Sequence, residues 1–195
     1  LNKIEKRIRA IQKDFPSHQS DLKIMKEYTI TIFSENDIGL LNEVTIVFSR
    51  RKINIESLTV SESEVKGVSR YTIVAFVADN RIENVVRQLE KIIGVFKALY
   101  FEADQIVHQE VALFKIANST KLNGNLENLV RTRNAKILSV NPDFLVIEKV
   151  GYKADNQELF NELEQYGVLQ FARSGRVAVS CQKREFTSYL KELTN

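Results

Sequence analysis

From Lys26 onward the hydrophobic pattern switches between a period of two and a period near 3.6 in a set order, and the same order then runs a second time. Residues 28–34 alternate as a strand, and Leu41, Val44 and Phe48 fall on one face of a following helix. Residues 53–61 and 70–78 are rich in β-branched and aromatic side chains around a polar turn at Gly67, which predicts a hairpin. Ile82, Val85, Val86, Leu89, Ile92 and Ile93 then recur at helical steps, and residues 95–103 return as a strand. The first unit therefore reads strand, helix, two strands, helix, strand.

The second unit repeats that order. Residues 111–118 read as a strand, Leu126, Leu129 and Val130 mark a helix, and residues 137–140 and 144–150 are strands joined by the turn residues Asn141, Pro142 and Asp143. Leu159, Phe160 and Leu163 mark the second helix, and residues 168–172 return as a strand. An extra strand over 176–180 follows, then a short helix with Phe186, Tyr189, Leu190 and Leu193 on one face. The predicted fold class is α+β, with two ferredoxin-like βαββαβ units over residues 26–104 and 109–195 and a boundary near 104–109. A chain of 195 residues with 44% apolar content is long enough to fill two small cores.

Residues 1–25 stand apart as a basic extension. Up to Lys26 the chain carries seven Lys and Arg against three acids, a charge of +4, so the rest of the chain, at −1, is about neutral. Leu1, Ile4, Ile8, Ile11 and Phe15 recur at steps of three and four before Pro16, the pattern of a short amphipathic helix. Two readings of it compete. It is a docking helix, or it is an extension ahead of Met25, the only methionine, which stands where an initiator would. The near-neutral remainder lacks the basic face of a nucleic-acid binder.

No apolar run reaches the roughly 18–20 residues that span a bilayer, and no apolar block marks a secretory signal. A single cysteine, Cys181, cannot form an internal bridge and fits a reducing, cytoplasmic compartment. Cys181 and His108 are far apart in sequence, and Cys181 reads as a small, partly buried residue beside a strand rather than as a nucleophile. The phosphate-cradling glycine loops are absent, and the acidic residues are scattered over helix faces. Catalysis is the weakest of the broad function classes.

The informative stretch is Ser34-Glu35-Asn36-Asp37-Ile38-Gly39-Leu40-Leu41-Asn42-Glu43-Val44, which joins the first strand to the first helix. It predicts an N-cap at Asn36 or Asp37 and leaves backbone N–H groups at the positive end of a helix dipole, a natural carboxylate site. Gly39 has two uses in such a loop: close approach of a ligand, or tight packing of strand on helix. Asn54, between Ile53 and Ile55 at the mouth of the next strand, offers a donor and an acceptor suited to an α-amino acid, or alternatively to backbone capping.

The runs Asn36-Asp37-Ile38-Gly39-Leu40-Leu41, Phe48-Ser49-Arg50-Arg51 and Asn54-Ile55-Glu56-Ser57-Leu58-Thr59-Val60 resemble the N-terminal ACT domain of the acetolactate synthase small regulatory subunits. Ser69-Arg70-Tyr71-Thr72-Ile73 and Phe171-Ala172-Arg173-Ser174-Gly175 resemble the same family, from about Met25 to the C-terminal region. The resemblance implies a non-catalytic subunit that stimulates a separate thiamine-diphosphate-dependent catalytic (large) subunit. It also implies feedback by a branched-chain amino acid, usually valine, in branched-chain amino acid biosynthesis. It places no cofactor on this chain and implies a homodimer. The effector then lies between the glycine turn of one chain and the strand asparagine of the other.

Carried over by position, the effector residues are Asn36, Asp37, Ile38, Gly39, Leu40, Asn54 and Ser61, with no catalytic or metal-binding residue. Two positions depart from the family pattern: Ser61 stands where alanine is common, and Asn42 where serine is common. The second unit lacks a comparable motif, and its expected role is dimerisation or contact with the catalytic subunit. The rival reading is a stand-alone amino-acid-sensing ACT regulator, which shares Asn36 and Gly39 but does not need the Asn54 and Ala172 runs.

Overall fold

The computed structural model describes residues 25–117 and 124–183. Residues 1–24 of the basic extension and the helix expected around Phe186 to Leu193 lie outside the described residues, as does the expected strand's last residue, Asn118; the extension's last residue, Met25, already belongs to the first strand.

Unit one runs β1 (Met25–Glu35), α1 (Leu40–Arg50), β2 (Ile55–Glu62), β3 (Val68–Ala78), α2 (Asp79–Leu89) and β4 (Val95–Phe101). The sheet is antiparallel with order β2-β3-β1-β4, so the central pair is the first and third strands and β2 is an edge. Alternation along β1 and β3 sends Tyr28, Ile30, Ile32, Tyr71, Ile73 and Ala75 toward the two helices. There they meet Val44 and Phe48 of α1 and Ile82, Val85, Val86 and Leu89 of α2. Burying each of these large side chains contributes about 1.5–3 kcal/mol.

Unit two repeats the architecture with β5 (Ile106–Ala117), α3 (Gly124–Thr132), β6 (Lys136–Val140), β7 (Phe144–Gly151), α4 (Lys153–Leu163) and β8 (Val168–Arg173), in the order β6-β7-β5-β8. Its core is Phe114, Ile116, Leu126, Leu145, Ile147 and Leu159, closed by Phe171 stacked on Phe114 with ring centroids 5.1 Å apart. The two βαββαβ units expected from periodicity are thus both formed.

Three boundaries differ from the sequence reading. The apolar stripe through Ile93 overruns its helix, because α2 stops at Leu89 and the next turn tightens, with Ile92 N–H donating to Leu89 O at 3.1 Å. Gly94 at φ 86° then reverses the chain, leaving Ile92 on the core but Ile93 92% exposed. The fourth strand ends at Phe101 rather than 103, in a one-turn 3-10 segment, Ala103–Gln105. β5 begins at Ile106, well before 111, because its leading residues Ile106 to Gln109 pair with β9 (Val177–Ser180), a long-range partner that local pattern does not reveal.

β9 also joins the units. Opposite the helices, sheet one presents Thr29, Thr31 and Thr72, all buried, and on this side the segment that leads into β9 bonds to Thr29 and Thr59. Arg176 donates to the Thr29 hydroxyl at 2.7 Å and to the Glu27 carboxylate at 2.7 Å. Thr59 donates to Arg176 O at 3.2 Å, and Arg70 reaches Ala178 O at 2.6 Å. Leu99, Phe101, Ile106 and Ala178 form a small apolar cluster beside this polar seam.

Candidate functional site

The β1–α1 loop is held at its base by its neighbours. Glu35 N–H donates to Gly94 O at 2.8 Å, Asn36 N–H to Gly67 O at 3.1 Å, and the Ser69 hydroxyl to Asn36 Oδ1 at 3.3 Å. Asn36 is therefore a strut between two turns, and Asp37 takes the amide of Ile38 at 2.7 Å, so neither is the expected N-cap. The N-cap is Gly39, at φ 96° and ψ −20°, and no side chain caps the helix. Its carbonyl accepts from the amides of Asn42 and Glu43 at 2.9 and 3.2 Å. The amides of Gly39, Leu40 and Leu41 take part in none of the hydrogen bonds of the described residues and stand at the positive end of α1.

Of the two uses the sequence offers for Gly39, packing is not realised. A Cβ there would meet nothing within 4 Å, so the glycine supplies left-handed backbone beside open space. The tight approach at this end belongs to Gly94, whose Cβ would lie 3.2 Å from Leu40 Cδ1. Leu40 is buried, whereas Ile38 is fully exposed and Leu41 is 44% exposed beside it. Two large apolar side chains thus flank three unpaired amides, the combination that suits an amino acid with a carboxylate and an aliphatic side chain.

Register fixes where the other candidates stand. Ser61 pairs with Arg70 and Glu62 with Ser69, which in turn pairs with Ser34, so Ser61 lies at the same end of the sheet as the Asn36 to Gly39 loop. Asn54 immediately precedes β2 at the opposite end, and its Nδ2 donates to Glu56 Oε1 at 2.9 Å. Six residues of strand, roughly 20 Å, separate Ile55 from Ser61. Within one chain Gly39 and Asn54 do not converge.

Sequence reasoning missed the polar seam around Arg176. His108, on β5, packs edge-on to Tyr152 with ring centroids 5.0 Å apart, and its Nδ1 is buried without a hydrogen bond. Burial, then the Arg176 charge, lowers its pKa, partly offset by Glu27 and Glu110. Arg173 pairs with the buried Glu110 at 3.1 Å. The one advance signal was an arginine opening an otherwise apolar strand, directly after Gly175. At Gly175 a Cβ would lie 2.2 Å from Thr59 Oγ1 and 3.2 Å from Leu58 O, so the second unit crosses edge strand β2 there without room for a side chain.

Cys181 is exposed, not partly buried as expected, and its amide donates to Gln105 O at 2.9 Å. It sits three register steps along the β5–β9 ribbon from His108. Among the described residues no three His, Cys, Asp or Glu side chains cluster to hold a metal ion, and no helix is long and apolar enough to cross a membrane.

Comparison with known proteins assigns both units. The family described as the AHAS small subunit-like ACT domain matches residues 30–97, and the family described as the small subunit of acetolactate synthase matches residues 109–182. The acetolactate synthase small subunit of Mycolicibacterium smegmatis is 37% identical over 153 residues, covering 78% of this chain and 90% of that protein. That of Bacillus subtilis is 33% identical over 150 residues, covering 76% and 87%. The crystal structure of the small subunit from Thermotoga maritima superposes with a TM-score of 0.74 at 30% identity, covering 82% of this chain and 99% of that one.

Proposed function

This chain belongs to the acetolactate synthase small-subunit family, and on that premise we propose that it is a non-catalytic regulatory subunit. It stimulates a separate thiamine-diphosphate-dependent catalytic subunit and makes that partner sensitive to valine or another branched-chain amino acid. The effector carboxylate sits on the amides of Gly39, Leu40 and Leu41, and its aliphatic side chain lies against Ile38 and Leu41. Such a carboxylate gains about 0.3–2 kcal/mol from the helix dipole.

The observation that carries this reading is the uncapped start of α1 beside open space at Gly39. The register supports a site shared between two chains. β2 is an edge, and a twofold axis that pairs β2 with its copy antiparallel brings Asn54 of one chain to the Ser61 end of the other. A ligand held across that axis favours one arrangement of the dimer, and the differential affinity is what reaches the catalytic partner. A coupling of about 1–3 kcal/mol corresponds to a roughly 5- to 150-fold change in the affinity of one binding partner when the other is bound.

Calorimetric complementation tests the shared site. Neither Gly39→Asp nor Asn54→Ala chains alone should bind valine at wild-type affinity. Mixed and re-equilibrated, they should regain about a quarter of the wild-type sites, because a mixed dimer holds one intact Gly39 and Asn54 pair. Absence of recovery in the mixture would show that the site is not shared between chains.

A further inference from the structure

We propose that residues 184–195 of this chain cover the outer valine face of the β5–β9 ribbon. β5 alternates in burial, so Val107, Gln109 and Val111 point away from both cores. Val179 stands opposite Val107, Val177 opposite Gln109 and Val150 opposite Val111 on the neighbouring strands. Five valines thus share one face, and they are between 38% and 61% exposed. They line a groove of about 440 Å³. A contiguous aliphatic surface of this kind on a folded domain marks a place where something packs.

The position and sequence of the following segment identify what packs there. β9 forms one wall of the face, and at its end Cys181 N–H is tied to Gln105 O while Gln182 N–H donates to the Ser180 hydroxyl at 3.0 Å. The chain therefore leaves at the rim of the groove. Residues 184–195 carry Phe186, Tyr189, Leu190 and Leu193 at helical i, i+3, i+4 and i+7 spacing, with Arg184 and Glu185 ahead of them and Lys191 and Glu192 among them. Twelve residues of helix measure about 18 Å. As a helix, the apolar stripe from Phe186 to Leu193 would run about 10 Å, which fits within the roughly 14 Å from Val107 to Val111.

Amide hydrogen exchange on the full chain tests this. Amides of residues 186–193 should exchange at least about tenfold more slowly than in the free peptide, at a rate independent of protein concentration. The protection should vanish in Val107→Asp/Val179→Asp, two exposed positions where the change leaves the cores alone. Free-peptide rates in the wild type, protection that survives the double substitution, or protection that grows with concentration would each overturn the proposal, the last by assigning the face to a second copy. As a second readout, a chain ending at Lys183 should bind an apolar fluorescent dye several-fold more than the full chain. Equal dye binding would also overturn it.

Discussion

Replacing Gly175 by alanine tests whether the second unit is seated on edge strand β2 as closely as the geometry requires. The added Cβ would lie 2.2 Å from Thr59 Oγ1 and 3.2 and 3.3 Å from Leu58 O and C. Rotating the Thr59 side chain removes the first contact but forfeits its hydrogen bond to Arg176 O, a loss of about 0.5–1.5 kcal/mol. The Leu58 peptide cannot retreat as easily, because Leu58 is registered opposite Ile73 in the β2–β3 ladder, and the residual overpacking costs about 1–3 kcal/mol. Reduced freedom of the unfolded chain returns about 0.4–1 kcal/mol. The net expectation is a loss of about 2 kcal/mol, read as a lower urea midpoint at unchanged m and at fixed protein concentration. Thr59→Ala combined with Gly175→Ala should be less destabilised than the sum of the two single changes, since the shortest contact is gone. A Gly175→Ala midpoint at or above that of the wild type would refute the close approach.

Further outcomes follow from the same geometry. Arg176→Met removes the guanidinium that holds Glu27 and Thr29, and should cost on the order of 2–3 kcal/mol in urea unfolding, below a fully buried pair because Glu27 keeps a third of its side chain in water. Burial lowers the His108 pKa below the ordinary 6.5, so the unfolded chain binds the proton more readily. Stability should then be full above pH 6.5 and fall as the pH drops from 6.5 toward the depressed folded value, and His108→Phe should flatten that slope in unfolding curves across pH 5–7.5. Gly39→Asp places a carboxylate where the effector carboxylate binds, at about 1–2 kcal/mol of left-handed backbone strain. It should abolish valine inhibition while stimulation of the catalytic subunit persists, and inhibition at wild-type valine concentrations would remove the site from this loop.

Most of the fold was legible because each strand and helix carries its own period: the alternation of Tyr28, Ile30 and Ile32 and the helical stripe from Ile82 to Leu89 both point at one core. What was not legible depends on distant partners. β5 starts five residues early because β9 pairs with it, and the stripe through Ile93 is cut short by Gly94, a left-handed residue. In the candidate site, the loop from Asn36 to Leu40 was visible in the sequence, but the cap was misplaced. Asn36 and Asp37 are good capping residues by type, yet Asn36 is engaged by Ser69 from β3 and Asp37 by its own neighbour. Arg176 left one hint, its place at the head of an apolar strand after Gly175, but an arginine in a surface strand and one buried against another sheet look alike in one dimension.

The most direct measurement is acetolactate formation by the catalytic subunit of the same organism, with and without this chain, across a valine titration. The account predicts that the chain raises the rate and that valine reverses the stimulation, with Gly39→Asp stimulating but unresponsive. A rate unchanged by the chain would contradict the regulatory-subunit reading and favour a stand-alone amino-acid sensor.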